Sequence, residues 1–166
     1  MTEESVLKDK VILVVDDEPD VLDIVREELH ECMVHKAKDY DTAIEYMLSY
    51  SYDAVILDIM GVNGFELLKQ AVSLGFPTVM LTAHAVTEDA LKKSIKLGAI
   101  SFLPKENLPD LRDFVEGAVM KKGKSMWKKV FDNLGHYFNK RFGSDWKERD
   151  KFFKEFEESL LKQEAE

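Results

Sequence analysis

Residues 52–60 read Tyr-Asp-Ala-Val-Ile-Leu-Asp-Ile-Met. The apolar run Ala54-Val55-Ile56-Leu57 ends on a carboxylate, Asp58. Runs this short, bounded by polar residues, suit strands buried on both faces. Three further runs follow the same rule. Val11 to Val15 ends in Asp16-Asp17, Thr78 to Leu81 ends in Thr82, and Ile100 to Leu103 leads to Lys105. Helical patterns separate them, which is the alternation of a doubly wound α/β sheet with right-handed crossovers. Sites in such sheets form at the carboxyl ends of the strands. The fold is therefore expected to gather three aspartates, a hydroxyl and an ammonium in one cleft.

The remaining elements follow from pattern and punctuation. Glu18-Pro19 opens a helix to about Leu29, with Val21, Leu22, Ile24, Val25 and Leu29 expected inward, and Pro19 suits its first position. Met33 to Ala37 is a weak second strand. Asp39 to Ser49 is helical, with Ala43, Ile44, Met47 and Leu48 inward. Asp53–Leu57 is the third strand. Gly64–Leu74 is the third helix, closed by Gly75-Phe76-Pro77. Thr87 or Glu88 to Leu97 is the fourth, stopped by Gly98. Pro109 starts a fifth helix to about Lys122. Residues 1–8 are read as a flexible lead-in, 9–122 as the α/β domain and 123–166 as an appendage. Gly123 weakens any continuous helix at the joint.

The chain has 166 residues, 45% of them apolar, with no stretch long enough to span a membrane. The polar first ten residues carry no signal-peptide pattern, and a cytoplasmic setting is expected. The single cysteine, Cys32, forms no internal disulfide and is read as a half-buried apolar residue in the second strand. His30, His35 and His136 are read as surface residues. Net charge is −9, unevenly spread. Residues 1–120 hold 11 Lys and Arg against 23 Asp and Glu, while residues 121–166 hold 12 against 9. The acidic part argues against general nucleic-acid affinity. The basic appendage suits an acidic surface, including that of its own domain.

A carboxylate nucleophile that meets a phosphate brings two like charges together. Mg²⁺ relieves that repulsion and prefers hard oxygen ligands. Asp16, Asp17 and Asp58 supply such oxygens. Lys105 supplies a cation for the remaining phosphate charge, and Thr82 a hydroxyl for a phosphate oxygen. No Ser-His-Asp order, phosphate-binding glycine loop or paired-histidine motif is present. Asp58-Ile59-Met60 also lacks the second aspartate of haloacid-dehalogenase-type phosphatases.

The ordered segments VILVVDDEPD, YDAVILDIM, PTVMLTAH and LGAISFLPKE resemble the receiver domain of two-component response regulators, over residues 9 to about 122. The resemblance implies a flavodoxin-like, five-stranded parallel sheet of order 2-1-3-4-5 with a C-terminal helical extension. It implies that Asp58 is the phosphoacceptor, Asp17 a direct Mg²⁺ ligand, Asp16 an acidic neighbour acting through water, and the Met60 carbonyl a further ligand. Thr82 matches the switch hydroxyl, Lys105 the phosphate-contacting lysine, Phe102 the aromatic that changes rotamer, and Ala83 a small residue that keeps access open. His84 lies near the cleft mouth, as a modulator of dephosphorylation or as a plain loop residue.

The implied donor is a histidine kinase or histidine phosphotransfer protein. The implied product is an acyl phosphate that the domain slowly removes itself, short of conventional enzymology. The implied output is altered partner binding by the fourth helix, fifth strand and fifth helix. Two departures stand out. The loop from Asp58 to Gly64 is two residues shorter than the family's and lacks its proline. Glu106 stands where the family often has proline after the lysine. A cis bond there would cost about 3 kcal/mol, so trans is expected.

In the appendage, Trp127, Phe131, Leu134, Phe138 and Phe142 share one helical stripe, with Gly143 as its stop. Trp146, Phe153, Phe156 and Leu160 share a second, with Ser144 as its cap. About 45 residues rarely hold a core alone. The two helices are expected to dock on the receiver, on a second copy as a homodimer, or on another protein. Two alternatives to the phosphorylated switch stay open: a phosphorylation-independent interaction module, and a small regulator that binds nucleic acid through the tail.

Overall fold

A computed structural model describes residues 5–83, 87–120 and 124–165. His84 and the joint at 121–123 lie outside the described residues. Five parallel strands form one sheet in the order β2-β1-β3-β4-β5. They are β1 (Val11–Val15), β2 (Met33–Ala37), β3 (Ala54–Asp58), β4 (Thr78–Thr82) and β5 (Ser101–Pro104). Every residue of β3, β4 and β5 is buried, while the edge strand β2 is mostly half-exposed. This matches the near-continuous apolar runs of the inner strands. Each fully buried aliphatic side chain there contributes about 1.5–3 kcal/mol.

The helices are α1 (Pro19–Glu28), α2 (Tyr40–Ser49), α3 (Gly64–Ser73), α4 (Glu88–Lys96) and α5 (Leu111–Val119). The first and last of these touch each other on one face of the sheet, and the α2–α3 contact lies on the other. Asp39 caps α2 by accepting the Thr42 N–H at 2.8 Å, and Thr87 caps α4 by accepting the Ala90 N–H at 3.0 Å. Asp53 lies just before β3, where its carboxylate accepts the Val11 N–H at 2.9 Å.

Several expectations change. Ile24 and Leu48 are exposed, at 40% and 66%, because a helix laid on a sheet buries a narrower stripe than the apolar spacing allowed. The fifth helix starts at Leu111 and ends at Val119. Pro109 sits inside a 3₁₀ turn, Lys105–Asp110, that precedes it. Cys32 lies in the bend before β2, where its thiol donates to the Leu7 carbonyl. His35 is half-buried, with Nδ1 2.8 Å from the Tyr52 hydroxyl and its ring edge-on to Tyr46, Tyr50 and Tyr52. The lead-in is anchored from Ser5 onward, since Leu7 is fully buried and Arg112 donates to the Ser5 hydroxyl.

The appendage folds as α6 (Lys124–Phe142), a short α7 (Trp146–Arg149) and α8 (Lys151–Ala165). Trp146 therefore belongs to its own turn and not to the last helix. Ser144 is not the cap. Asp145 holds that position without a side-chain cap bond, and Asp150 marks the break before α8. Helix α6 packs on β5 and α5, and α8 closes over α6. Met126 fills the space above Gly117 of α5, where a Cβ would meet its sulfur at 1.9 Å. The Trp127 indole donates to the Ala99 carbonyl at 2.9 Å. Trp127, Phe138, Trp146 and Phe153 are all buried. The appendage thus shares one core with the α/β domain.

Candidate functional site: an acidic cleft at the strand ends

The parallel register places Val15 beside Leu57, Asp58 beside Leu81 and Thr82 beside Pro104. Asp16, Asp58, Thr82 and Lys105 therefore emerge along one edge of the sheet. Asp58 is 4% exposed, Asp16 is fully buried and Thr82 is 6% exposed. Lys105 reaches back from the end of β5, with Nζ 2.8 Å from Asp16 Oδ2, 3.2 Å from Glu18 Oε1 and 3.3 Å from Asp58 Oδ1.

Burial pushes the Asp58 carboxyl up to about 6, and the charge of Asp16 adds to the rise; Lys105 opposes both. Burial raises Asp16 as well, against its bond to Lys105. Burial alone would lower Lys105, but its bond to Asp16 and the charge of Asp58 hold it above the usual lysine range. The cleft thus holds more negative charge than its one ammonium neutralises.

Carboxylate oxygens of Asp16, Asp17 and Glu18 lie within 4.8 Å of one another. Asp16 Oδ1 accepts the Glu18 N–H at 2.9 Å, which fixes the turn. The loop after Asp58 passes beside Asp17, since a Cβ on Gly61 would fall 2.5 Å from Asp17 Oδ2. This brings the Met60–Gly61 peptide alongside the acidic cluster, with the Met60 side chain pointing to solvent at 73% exposure. The short loop closes because Gly64 carries no side chain: a Cβ there would lie 2.1 Å from the Asp58 carbonyl oxygen. A set of hard carboxylate oxygens around a buried, charge-crowded aspartate fits a small divalent cation.

The Thr82 hydroxyl donates to the Ala83 carbonyl at a long 3.4 Å. Phe102 is fully buried on β5, its ring 6.1 Å from that of Phe138 on α6. No peptide bond among the described residues is cis, so Lys105–Glu106 is trans as expected. Glu18 is the residue the sequence reading left out of the cleft. Its adjacency to Asp16-Asp17 was the available signal. The Phe102–Phe138 contact was also missed, because it joins two patterns that were read separately.

Residues 12–116 match the model of the response regulator receiver domain. The chain belongs to the response regulator receiver family. Similar curated proteins include a two-component response regulator of Arabidopsis thaliana, ARR18, 33% identical over 124 residues, 70% of this chain and 19% of that protein. The Fimbriae Z protein of Salmonella typhimurium is 37% identical over 91 residues, 53% of this chain and 42% of that protein. The chain spans less than half the length of either relative. A CheY-like receiver domain protein of Methanospirillum hungatei superposes with a TM-score of 0.62 at 25% identity, covering 71% of this chain and 99% of that one. The matched residues run from β1 into α5, and the helical tail follows α5. Among the described residues, no helix is long and apolar enough to cross a membrane.

Proposed function

We propose that this receiver accepts a phosphoryl group on Asp58 from a phosphohistidine of a histidine kinase or phosphotransfer protein. The observation that carries the reading is the placement of Asp58, buried at the end of β3 with Lys105 at 3.3 Å and an acidic cluster on the adjoining turn. A carboxylate oxygen of Asp58 attacks phosphorus, the P–N bond breaks, and its electron pair leaves with the imidazole. Asp17, Asp58 and the Met60 carbonyl would hold Mg²⁺, with Asp16 as an acidic neighbour acting through water. When bound, such an ion would supply charge neutralisation between the nucleophile and the phosphoryl oxygens. Lys105 neutralises a further phosphoryl oxygen, and the Thr82 hydroxyl turns from Ala83 to the phosphoryl group. Glu18 gives up its share of Lys105 as that happens.

The tail's basic residues are drawn to receiver acids, with Arg141 at 3.8 Å from Glu106 and Arg149 paired with Glu88. This favours tail docking within the signalling protein over the nucleic-acid alternative. The acceptor assignment is tested with a small phosphodonor such as phosphoramidate and Mg²⁺. Parent protein should label at one site, and Asp58→Asn should not label. Equal labelling of both would remove Asp58 from the role.

A further inference from the structure

Glu18 stands just before α1, where a side chain ordinarily caps a helix, yet its carboxylate makes no capping bond. It reaches instead to Lys105, 87 residues along the chain, with Oε1 3.2 Å from Nζ. The turn does not need this side chain. The Glu18 backbone N–H donates to Asp16 Oδ1 at 2.9 Å, a bond that any residue except proline would make. The Lys105 ammonium has three N–H groups, and carboxylate oxygens of Asp16, Glu18 and Asp58 lie 2.8, 3.2 and 3.3 Å from it. These neighbours are unequal. The Asp16 side chain is fully buried, so taking Lys105 from it strands a charge away from water at high cost. Asp58 is the group that reacts. The Glu18 side chain is 60% exposed, and water replaces the lysine there at little cost.

We infer that Glu18 is a positioning residue that restrains phosphoryl transfer by competing for Lys105. Its carboxylate draws part of the ammonium's charge toward the mouth of the cleft. The phosphoryl group gains that charge only as Glu18 lets go. In phosphoryl transfer the charge spreads over three equatorial oxygens in a loose transition state, so rate depends on the cations set against them. This holds in both directions. On acceptance, an Asp58 oxygen attacks phosphorus and the donor's P–N bond breaks. On loss, a water oxygen attacks phosphorus and gives its proton to solvent. The bond to the Asp58 oxygen breaks, its electron pair returns to the carboxylate, and inorganic phosphate leaves. A competitor for Lys105 slows both steps. Glu18 therefore delays formation of the acyl phosphate and also prolongs its life.

This inference rests on Asp58 being the acceptor, and the test separates the two. Full-length parent, Glu18→Gln, Lys105→Ala and the double variant are labelled with phosphoramidate at saturating Mg²⁺, which removes any effect of Glu18 on metal affinity. Loss is followed as inorganic phosphate released once the donor is removed. Glu18→Gln keeps the size of the side chain and removes its charge. It should quicken both labelling and loss by about threefold to tenfold, the scale of a partly buried ion pair. In the Lys105→Ala background the same substitution should change neither rate, since the group it acts through is gone. Unchanged or slower rates for Glu18→Gln would overturn the inference and leave Asp58 as the acceptor. Acceleration that persists without Lys105 would overturn it too, because Glu18 would then act on the anionic donor directly. Quicker labelling without quicker loss has the same meaning, since water is neutral and feels no such repulsion. Absence of labelling at Asp58 in the parent would overturn the receiver reading and the inference together.

Discussion

Lys105 Nζ stands 2.8 Å from Asp16 Oδ2, an ion pair that joins the ends of β5 and β1 across the whole width of the cleft. The two strands are not neighbours, since β3 and β4 lie between them. The lysine therefore spans the cleft and partly neutralises Asp16 and Asp58 at once. The neutralisation is incomplete, and that excess charge has measurable consequences.

The first is a pH-dependent instability of the metal-free protein. The Asp58 carboxyl is raised from 3.8 to about 6 by burial and then by Asp16. The folded state therefore holds this proton more tightly than the unfolded state. Its favourable contribution is present below pH 4, declines through pH 6, and becomes a constant penalty above that. A shift of about two units corresponds to up to about 3 kcal/mol. Asp58→Asn in EDTA should accordingly melt higher than parent at pH 7.5, with the gap closing toward pH 4. Mg²⁺ should narrow the gap by stabilising the parent. Calorimetry at three pH values decides it; a less stable mutant at pH 7.5 would mean that the Lys105 attraction outweighs the crowding.

The two neighbouring aspartates should differ in metal binding. Asp16 already spends one oxygen on the Glu18 N–H and the other on Lys105, whereas Asp17 is exposed and faces the Gly61 backbone. Asp17→Ala should therefore weaken Mg²⁺ binding more than Asp16→Ala. Losing a charged partner costs about 1–3 kcal/mol, or roughly one to two orders of magnitude in affinity. Mg²⁺ titration of both variants measures the order, and the reverse order would exchange their roles.

Thr82→Ala should separate phosphorylation from its consequence. The hydroxyl's bond to Ala83 is long, so its loss should cost less than about 1 kcal/mol of stability. Labelling of Asp58 should persist, while the change in partner binding on phosphorylation should shrink. An unaltered binding response would place the switch in other groups.

The loop after Asp58 should tolerate no side chain at its close. A Cβ at Gly64 would strike backbone atoms of Asp58 and Ile59, which cannot rotate away. Gly64→Ala should lower stability by about 3 kcal/mol, the upper end of overpacking, and weaken Mg²⁺ binding with it. Gly135 on α6 has nothing within 4 Å of its Cβ position, so Gly135→Ala should stabilise the tail by about 0.5–1 kcal/mol. Denaturant titration of both variants tests the contrast.

The strands were legible because four of them are buried on both faces and read as unbroken apolar runs. The polar groups at their ends were legible for the same reason: each marks where burial stops. Asp39 and Thr87 signalled their helix starts through their own side chains. Pro109 misled, since a proline suits a 3₁₀ turn as well as a helix start. Ile24 and Leu48 misled because spacing gives a stripe's direction better than its width. What sequence could not supply were contacts between distant elements that no shared strand end announced: His35 within its tyrosines, and Phe138 on Phe102. These depend on which elements the fold brings together, and no local pattern encodes that.

The tail's attachment should depend on one indole. Trp127 Nε1 donates to the Ala99 carbonyl in a buried bond of 2.9 Å, while Trp146 Nε1 donates to Asn139 within the tail itself. Trp127→Phe keeps most of the ring area but leaves that carbonyl without its donor, at a cost of about 1–3 kcal/mol. The loss falls on docking, because Ala99 belongs to the receiver and Trp127 to α6. Hydrogen exchange should therefore quicken across residues 126–160 in Trp127→Phe, while β1, β3 and β4 keep their protection. Trp146→Phe should instead loosen α7 and its packing on α6, with the α6–β5 contact retained. The remaining Trp146 in the first variant also serves as a single fluorescent reporter, whose quenching by acrylamide should rise. If residues 126–160 in Trp127→Phe exchange as slowly as in the parent, aromatic burial alone holds the tail, and the indole bond is not its anchor.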